Sequence, residues 1–382
     1  MPLPRALVVL PGALLLVAAL AGCTQKATIA GADGNAVTVT ATDSACSLSA
    51  SAVRSGTTTF TVKNTGTKVT EFYVTKGDTT LGEVENVAPG LTRSLSLALQ
   101  AGSYSTFCKP GESGSGVGRA TLTVSGGSTK PAADIRSERA GIETAYREYV
   151  RAQAATLLTE TKRFADLYAK GSDDAAKALY PTARASYERI EPVAESLGAL
   201  DARLDARKPD VPAGTAWTGW HRIEADLWGG SAPSAAERRA RAAALVEDTE
   251  ALDAKVGSAA FRPTADAISN GAIALLDEVA KTKITGEEEA YSHTDLADFA
   301  ANLEGAKKAY DLVRPLAAAS QPTLGRQIDA RYAALAAMLG EHRSGAGYAA
   351  YTTLDETDVK ALSDGVNALA EPLSRLTAAV LG

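Results

Sequence analysis

The hydrophobic pattern of the 382-residue chain changes once, near residue 125. Before that point, apolar and polar residues alternate with a period of two, which is typical of half-buried β-strands. After it, apolar residues recur at spacings of three and four, which is typical of amphipathic α-helices. The chain is therefore predicted to be an all-β plus all-α multidomain protein.

Strand-like segments separated by glycine-containing turns occupy the first part. They are 57–64, 70–74, 91–99 and 120–124. Short strands at this spacing predict a β-sandwich over 36–124.

The polar, glycine-containing segment 125–133 is predicted to be a linker, and 134–382 a helical bundle. Ser234 and Glu237 stand at the spacing of a capping box, which predicts a helix start. Further helices are predicted at 134–170, 172–197, 262–283, 294–319, 322–341 and 356–380.

Residues 1–22 have the organisation of a bacterial lipoprotein signal peptide. Arg5 precedes an apolar run that is too short to span a bilayer, and small residues lead directly to Cys23. We expect export, lipidation of Cys23, and a tether over 23–35 that holds the protein on the outer face of the cell membrane. The alternative, an ordinary signal peptide cut elsewhere, is disfavoured because the chain has only three cysteines.

The composition restricts the class of partner. A formal net charge of -6 and a pI near 5.4 argue against nucleic acid or anionic lipid as the main ligand, because either would favour a basic surface. Cations are compatible with an acidic chain.

A histidine and a glutamate stand three residues apart in the helical part, at His221 and Glu224. On a helix they share one face and can bind one metal ion together. By itself this spacing fits equally a partly buried histidine that pairs with a nearby carboxylate.

The pattern formed by Gly219, His221 and Glu224 resembles the GxHxxE hallmark of the imelysin-like family. Longer stretches also look like blocks of that family in their expected order, at 187–192, 283–296 and 298–315. With the β part ahead of it, the chain is similar throughout to the EfeO-type family. That family comprises extracytoplasmic components of ferrous iron uptake, which join a cupredoxin-like domain to an imelysin-like domain.

The resemblance implies that the protein binds iron, as Fe2+ or Fe3+, and passes it to a membrane iron permease that works beside a haem peroxidase. Copper and zinc are alternative ions. It nominates His221 and Glu224 as metal ligands, joined by Glu191 and Asp298. Oxygen-rich coordination with one imidazole suits iron. For Glu191 and Asp298, a surface or capping role is the alternative.

Imelysin-like domains have also been classed with peptidases, so a metallopeptidase is the alternative function. Zincin motifs supply two histidine ligands and a glutamate base, whereas here Arg222 follows His221 and Ala225 follows Glu224. His293 is the remaining candidate for a second histidine ligand. The acidic run 287–289 is expected to be a solvated face. We expect a binding protein rather than an enzyme.

The segment 36–124 contains no histidine or methionine, which excludes a type 1 copper site. Two alternatives remain open for its cysteines. In an oxidising compartment, Cys46 and Cys108 can form a disulfide. Otherwise they can serve as thiolate ligands to copper or iron in a second metal site with Glu71 and Glu83.

Overall fold

The computed structural model describes residues 35–77, 79–112, 114–126, 133–195, 198–211, 213–230 and 232–381. The predicted signal peptide and the lipidation site Cys23 lie outside these residues. Among the helices in the described ranges, none is both long and apolar enough to cross a membrane.

Between residues 35 and 125, the described strands form two facing sheets. The strands are β1 (Asn35–Ala41), β2 (Cys46–Leu48), β3 (Ala52–Arg54), β4 (Gly56–Asn64), β5 (Thr70–Lys76), β6 (Thr79–Val87), β7 (Thr92–Leu99), β8 (Gly102–Pro110) and β9 (Val117–Ser125). One sheet has the order β2-β1-β4-β7 and the other β3-β9-β8-β5-β6. The predicted β-sandwich is confirmed.

Buried apolar and exposed polar residues alternate along the strands, and the buried ones form the core between the sheets. In β1, Val37, Val39 and Ala41 are buried while the residues between them are exposed. The rings of Phe60 and Phe72 meet across the sandwich with centroids 5.3 Å apart. Each sheet therefore contributes one apolar face to a shared core.

The four predicted strand segments coincide with β4, β5, β7 and β9, although β5 is buried on both faces and does not alternate. The sequence did not predict β8. Phe107 and Cys108 are consecutive buried residues in that strand, so its two faces are both covered and the alternation is lost.

The second part is helical, as predicted. Its helices are α1 (Ala133–Ala169), α2 (Asp173–Glu188), α3 (Glu191–Glu195), α4 (Ala199–Asp205), α5 (Gly219–Trp228), α6 (Ala235–Gly257), α7 (Ala265–Glu278), α8 (Asp295–Ser320), α9 (Pro322–Glu341), α10 (Glu356–Leu373) and α11 (Leu376–Leu381). A π-helical turn, Val279–Lys283, continues α7. The predicted capping box is present at the start of α6, where Ser234 and Glu237 bond reciprocally.

The β-sandwich docks on the helical domain along β6 and β7, which pack against α7. Arg93 of β7 forms an ion pair with Asp277 at 3.1 Å, and both side chains are largely buried. The Asn270 amide donates to the Ser96 carbonyl oxygen at 3.1 Å. Because these contacts come from regular elements on both sides, they hold β6 at a defined distance from the helices.

Candidate metal centre

Gly219 determines where α5 begins. Its φ is +84°, and a Cβ at this position would lie less than 3.0 Å from the Leu204 carbonyl oxygen at the end of α4. Only glycine tolerates both the conformation and this close approach of α4 and α5. The glycine of the motif therefore sets the position from which His221 points into the domain.

His221 is only 2% exposed, and its two ring nitrogens have different surroundings. Nδ1 lies 3.2 Å from Glu224 Oε2. Nε2 lies at ion-pair distance from two carboxylates, 3.3 Å from Glu288 Oε1 and 3.6 Å from Asp205 Oδ1, without the alignment of a hydrogen bond to either. One ring nitrogen is thus bonded, and the other faces two carboxylates without a hydrogen-bond partner.

The surrounding carboxylates favour the charged imidazolium. Burial and the nearby Arg184 guanidinium both lower the pKa of His221. The negative charge of Asp205 and the contacts with Glu224 and Glu288 outweigh them and raise this pKa well above its ordinary value. A metal ion that binds the ring must therefore replace a proton.

Glu224 connects His221 to a separate chain segment. Its Oε1 accepts hydrogen bonds from the backbone N–H groups of Tyr291 at 2.8 Å and Ser292 at 2.6 Å. Although burial opposes its charge, the bond with His221 and these two N–H groups lower the pKa of Glu224. The ionised carboxylate therefore positions the segment that carries Glu288 and Glu289.

Two groups of ligand-type atoms form around the ring, each with its atoms within 4.8 Å of one another. One contains Asp205, His221 and Glu288, and the other contains His221, Glu224 and Glu289. Histidine ligands commonly donate the second ring nitrogen to a carboxylate that orients them. Since Nδ1 already bonds Glu224, the geometry favours metal binding at Nε2, with Asp205 and Glu288.

Arg184 is fully buried at the centre of the acidic residues. Its guanidinium lies within 4.0 Å of Glu188, Asp205, Glu288, Glu289 and Asp298. The closest of these contacts is 2.5 Å, between Nη2 and Glu188 Oε1. A buried charge of this kind holds several carboxylates together, which would otherwise repel one another.

Lys283 is the second buried cation, and the π-helical turn after α7 positions it. Its Nζ lies 3.0 Å from Glu288, 3.3 Å from Glu188 and 3.5 Å from Glu191. π-helical turns within α-helices often occur at functional sites. Glu288 is thus shared by Lys283 and His221.

Carboxylates outnumber cations in this cluster. Within 4.0 Å of Arg184, His221 or Lys283, the described carboxyl groups are Glu188, Glu191, Asp205, Glu224, Glu288, Glu289 and Asp298. Burial raises the pKa of Glu191 and Asp298 well above the ordinary range and that of Glu289 to about 8. Several carboxyls therefore retain protons, which a bound cation can replace.

The imelysin family model, which is classed as peptidase M75, matches residues 142–376. The chain belongs to the imelysin family. A cupredoxin-like domain model matches residues 12–124, so the β-sandwich precedes the imelysin domain as in EfeO-type proteins.

Relatives with the same two-domain length support this assignment. The iron uptake system component EfeO of Escherichia coli K12 is 38% identical over 350 residues, which cover 90% of this chain and 91% of the relative. EfeO of Shigella flexneri matches to the same extent. A crystal structure described as an iron-regulated protein A precursor, from Parabacteroides distasonis, matches 66% of this chain and 96% of that chain. Its TM-score is 0.50 at 16% identity, which shows a shared fold.

The imelysin domain brings His221 and Glu224 together, but it gives Glu191 and Asp298 other partners. Glu191 accepts from the Asn302 amide at 2.9 Å and lies beside Lys283. Asp298 lies 3.3 Å from Arg184 Nε. Among the described carboxylates, those within 4.0 Å of the His221 ring nitrogens come from Asp205, Glu224, Glu288 and Glu289.

The expectation of a solvated acidic face at 287–289 is wrong for two of its residues. Glu288 is 4% exposed and Glu289 is fully buried. Sequence reasoning also missed Asp205, since nothing in its local pattern distinguishes it from a surface carboxylate at a helix end. His293, the candidate second histidine ligand, belongs to neither group of ligand-type atoms in the described part of the chain.

In the cupredoxin-like domain, Cys46 and Cys108 form a disulfide with a Cα–Cα distance of 5.5 Å. It joins β2 of one sheet to β8 of the other. Both sulfur atoms take part in this bond, so neither is a free thiolate that could bind a metal ion. The structure therefore contains the disulfide and not the alternative thiolate metal site. The bond also lies inside the core, since Cys108 is fully buried.

The register of β5 and β8 separates the carboxylates from these sulfurs. Phe72 pairs with Cys108, whereas Glu71 pairs with Lys109. Because neighbouring residues of a strand point to opposite faces, the Glu71 side chain lies outside the sandwich while the disulfide lies inside. Glu83 pairs with Tyr73, so it shares the outer face with Glu71. The four residues of the alternative metal site, Cys46, Cys108, Glu71 and Glu83, therefore do not converge.

Proposed function

We propose that this protein is the extracytoplasmic iron-binding component of a ferrous iron uptake system. It captures iron as Fe2+ or Fe3+ and passes it to a membrane iron permease. The observation that carries this proposal is the buried Nε2 of His221, which lacks a hydrogen-bond partner and faces the carboxylates of Asp205 and Glu288. The EfeO relatives, which are named iron uptake system components, support the choice of ion.

The ligand chemistry agrees with iron as the cargo. One imidazole and two carboxylates form a donor set that suits divalent cations of intermediate hardness, including iron, with zinc and copper as competitors. Asp205 and Glu288 also contact Arg184 or Lys283, so cation binding changes an existing charge network. Such a site can bind iron reversibly, because it does not enclose the ion completely.

Location and partners complete the proposal. A lipid on Cys23 would hold the protein on the outer face of the membrane, in the periplasm or at the cell surface, close to the permease. Tethering raises the effective concentration of donor relative to acceptor. A haem peroxidase of the same system is the other proposed partner, and nucleic acid has no part in this function. Cys23→Ser is expected to release the protein from membranes, which fractionation of cells measures.

Anaerobic titration of the mature full-length protein with Fe2+ tests the metal site. We expect His221→Ala and Glu288→Gln each to weaken binding by at least about 100-fold, since loss of a residue that only orients a ligand already costs about 10- to 100-fold. Glu304→Gln, at a half-exposed carboxylate paired with Arg189, serves as the charge-matched control and should bind as the wild type does. Unchanged binding in His221→Ala with its fold intact, as judged by circular dichroism, would remove this site assignment.

Peptidase activity is the competing function, because the matching family model carries a peptidase class. We expect no cleavage of a broad peptide library with zinc added. Chelator-sensitive cleavage that disappears in Glu224→Gln would favour the metallopeptidase instead.

A further inference from the structure

A cavity of about 300 Å³ lies between the β-sandwich and the helices around the metal centre. Glu85 of β6 contributes one wall. The imelysin domain contributes the other acidic side chains, which are Glu191, Asp201, Asp205, Asp210, Glu278 and Glu288. Both domains therefore supply carboxylates to one concave space.

Exposure decreases steadily along this cavity. The side chain of Asp210 is 47% exposed, that of Arg207 is 22% and that of Asp205 is 9%. Glu288 follows at 4%, and His221 behind it at 2%. The lining thus leads from solvent to the buried ring.

The inner end of the cavity lies beside a side chain that can bind a metal ion. Asp205 and Glu288 line the cavity, and the same two side chains are the neighbours of His221 Nε2. That nitrogen is buried and has no hydrogen-bond partner. A cation that follows the lining carboxylates inward therefore reaches the ring nitrogen Nε2, where it would replace the proton.

Carboxylates also extend outward from the cavity onto the β-sandwich. Glu71, Glu83 and Glu85 lie near Tyr73 on the outer face of the five-stranded sheet. Burial is the main cause that raises the pKa of Tyr73, and the charges of these three glutamates add to it. These carboxylates, of which Glu71 is buried and lies 3.7 Å from Lys109, add negative charge beside the wall that Glu85 provides.

On the basis of the proposed function, we propose that this cavity is an entry site for divalent cations. Both domains share it, and iron reaches and leaves His221 through it. The cation is held there briefly by carboxylates, with Glu85 on one side and Glu278 on the other. Carboxylate oxygens bind divalent cations, and an acidic cleft raises the rate at which cations arrive. The cupredoxin-like domain then contributes to loading through its outer face instead of through its cysteines.

Arg207 lies between the two ends of this path and affects how fast cations move along it. Its Nε lies 2.7 Å from Asp210 at the solvent end, and its Nη1 lies 3.8 Å from Glu288 at the inner end. A positive charge between the two ends repels an incoming cation. Arg207 therefore slows both entry and exit.

Stopped-flow mixing of the full-length protein with Fe2+ under anaerobic conditions tests the path, with tryptophan fluorescence as the signal, since Trp217, Trp220 and Trp228 all lie near His221 in the chain. In the double variant Glu85→Gln/Glu278→Gln we expect the association rate constant to fall about tenfold. The dissociation rate constant, measured by chelator chase, should fall with it. The equilibrium Kd then changes by less than about threefold, because a path residue alters both rates whereas a ligand alters affinity.

The charge-matched control is Glu304→Gln/Glu371→Gln, two exposed carboxylates outside the cavity lining, which should load at the wild-type rate. Arg207→Gln should load faster than the wild type, which gives a test of opposite sign. Wild-type loading rates in both the Glu85→Gln/Glu278→Gln and Arg207→Gln variants would overturn the entry site while leaving the metal centre intact. Failure of the wild-type protein to bind Fe2+ would instead overturn the proposed function, and the entry site with it.

Discussion

His221 Nδ1 lies 3.2 Å from Glu224 Oε2, within one turn of α5, and both side chains are buried. The other carboxylate oxygen of Glu224 accepts two backbone N–H groups, from Tyr291 and Ser292. Glu224 therefore couples the orientation of the imidazole to the position of the segment that carries Glu288. In this arrangement Glu224 orients the ring, and Nε2 is the nitrogen that we propose binds the metal.

Replacement of Glu224 by alanine should affect stability and metal binding together. Two backbone N–H groups lose their acceptor, and each buried unsatisfied donor costs about 1–3 kcal/mol. We expect the free energy of unfolding to fall by about 3 kcal/mol and iron affinity by about 10-fold or more. Denaturant unfolding and Fe2+ titration measure the two effects. Wild-type stability in this variant would contradict the positioning role.

Gly219→Ala should destabilise the imelysin domain by about 3 kcal/mol, because the new methyl group meets the Leu204 carbonyl and φ is positive. Thermal unfolding measures this loss. The control is Gly257→Ala at the end of α6, where a Cβ meets no atom within 4 Å. Equal stability of the two variants would show that α4 and α5 can move apart without lowering the free energy of unfolding.

Removal of the disulfide should destabilise the cupredoxin-like domain and leave the metal centre unchanged. The bond closes a loop of 62 residues, which corresponds to a loss of about 4 kcal/mol in the chain-entropy account. We therefore expect Cys46→Ser/Cys108→Ser to unfold at lower denaturant concentration and to bind Fe2+ with wild-type affinity. Weaker iron binding in the folded variant would instead support a metal role for the cysteines.

The interdomain pair Arg93–Asp277 should make stability depend on pH. Burial raises the pKa of Asp277 from 3.8 to about 6, although Arg93 lowers it. Between these values the folded protein retains a proton that the unfolded chain has lost, so this group's contribution to stability falls as pH rises from about 4 to 6. The expected loss is about 3 kcal/mol at most.

Denaturant unfolding at several pH values measures this dependence, and Asp277→Asn should reduce its slope between about pH 4 and 6. Asp311→Asn, at a half-exposed carboxylate paired with Lys307, is the control and should retain the wild-type profile. An unchanged profile in Asp277→Asn would show that other carboxyls determine the pH dependence.

The acidic residues of the metal centre show where sequence reasoning succeeds and where it stops. His221 and Glu224 are three residues apart on one helix, so their proximity follows from helix geometry alone. Asp205 and Glu288 come from other segments of the chain, and only packing brings them to Nε2. Glu288 also stands in an acidic run that normally indicates a solvated surface. Its burial depends on Lys283 and Arg184, which no local pattern connects to it.

By itself, the sequence determined the all-β and all-α division, the capping box at Ser234 and the helical pair of His221 with Glu224. These features depend on periodicity and on contacts between residues close in the chain. The tertiary structure decided that Cys46 pairs with Cys108, that Glu71 lies on the opposite face of the sheet, and that Asp205 and Glu288 lie beside His221 Nε2. The physical reason is that burial, charge pairing and sheet register arise from contacts between distant segments, which form only when the whole chain packs.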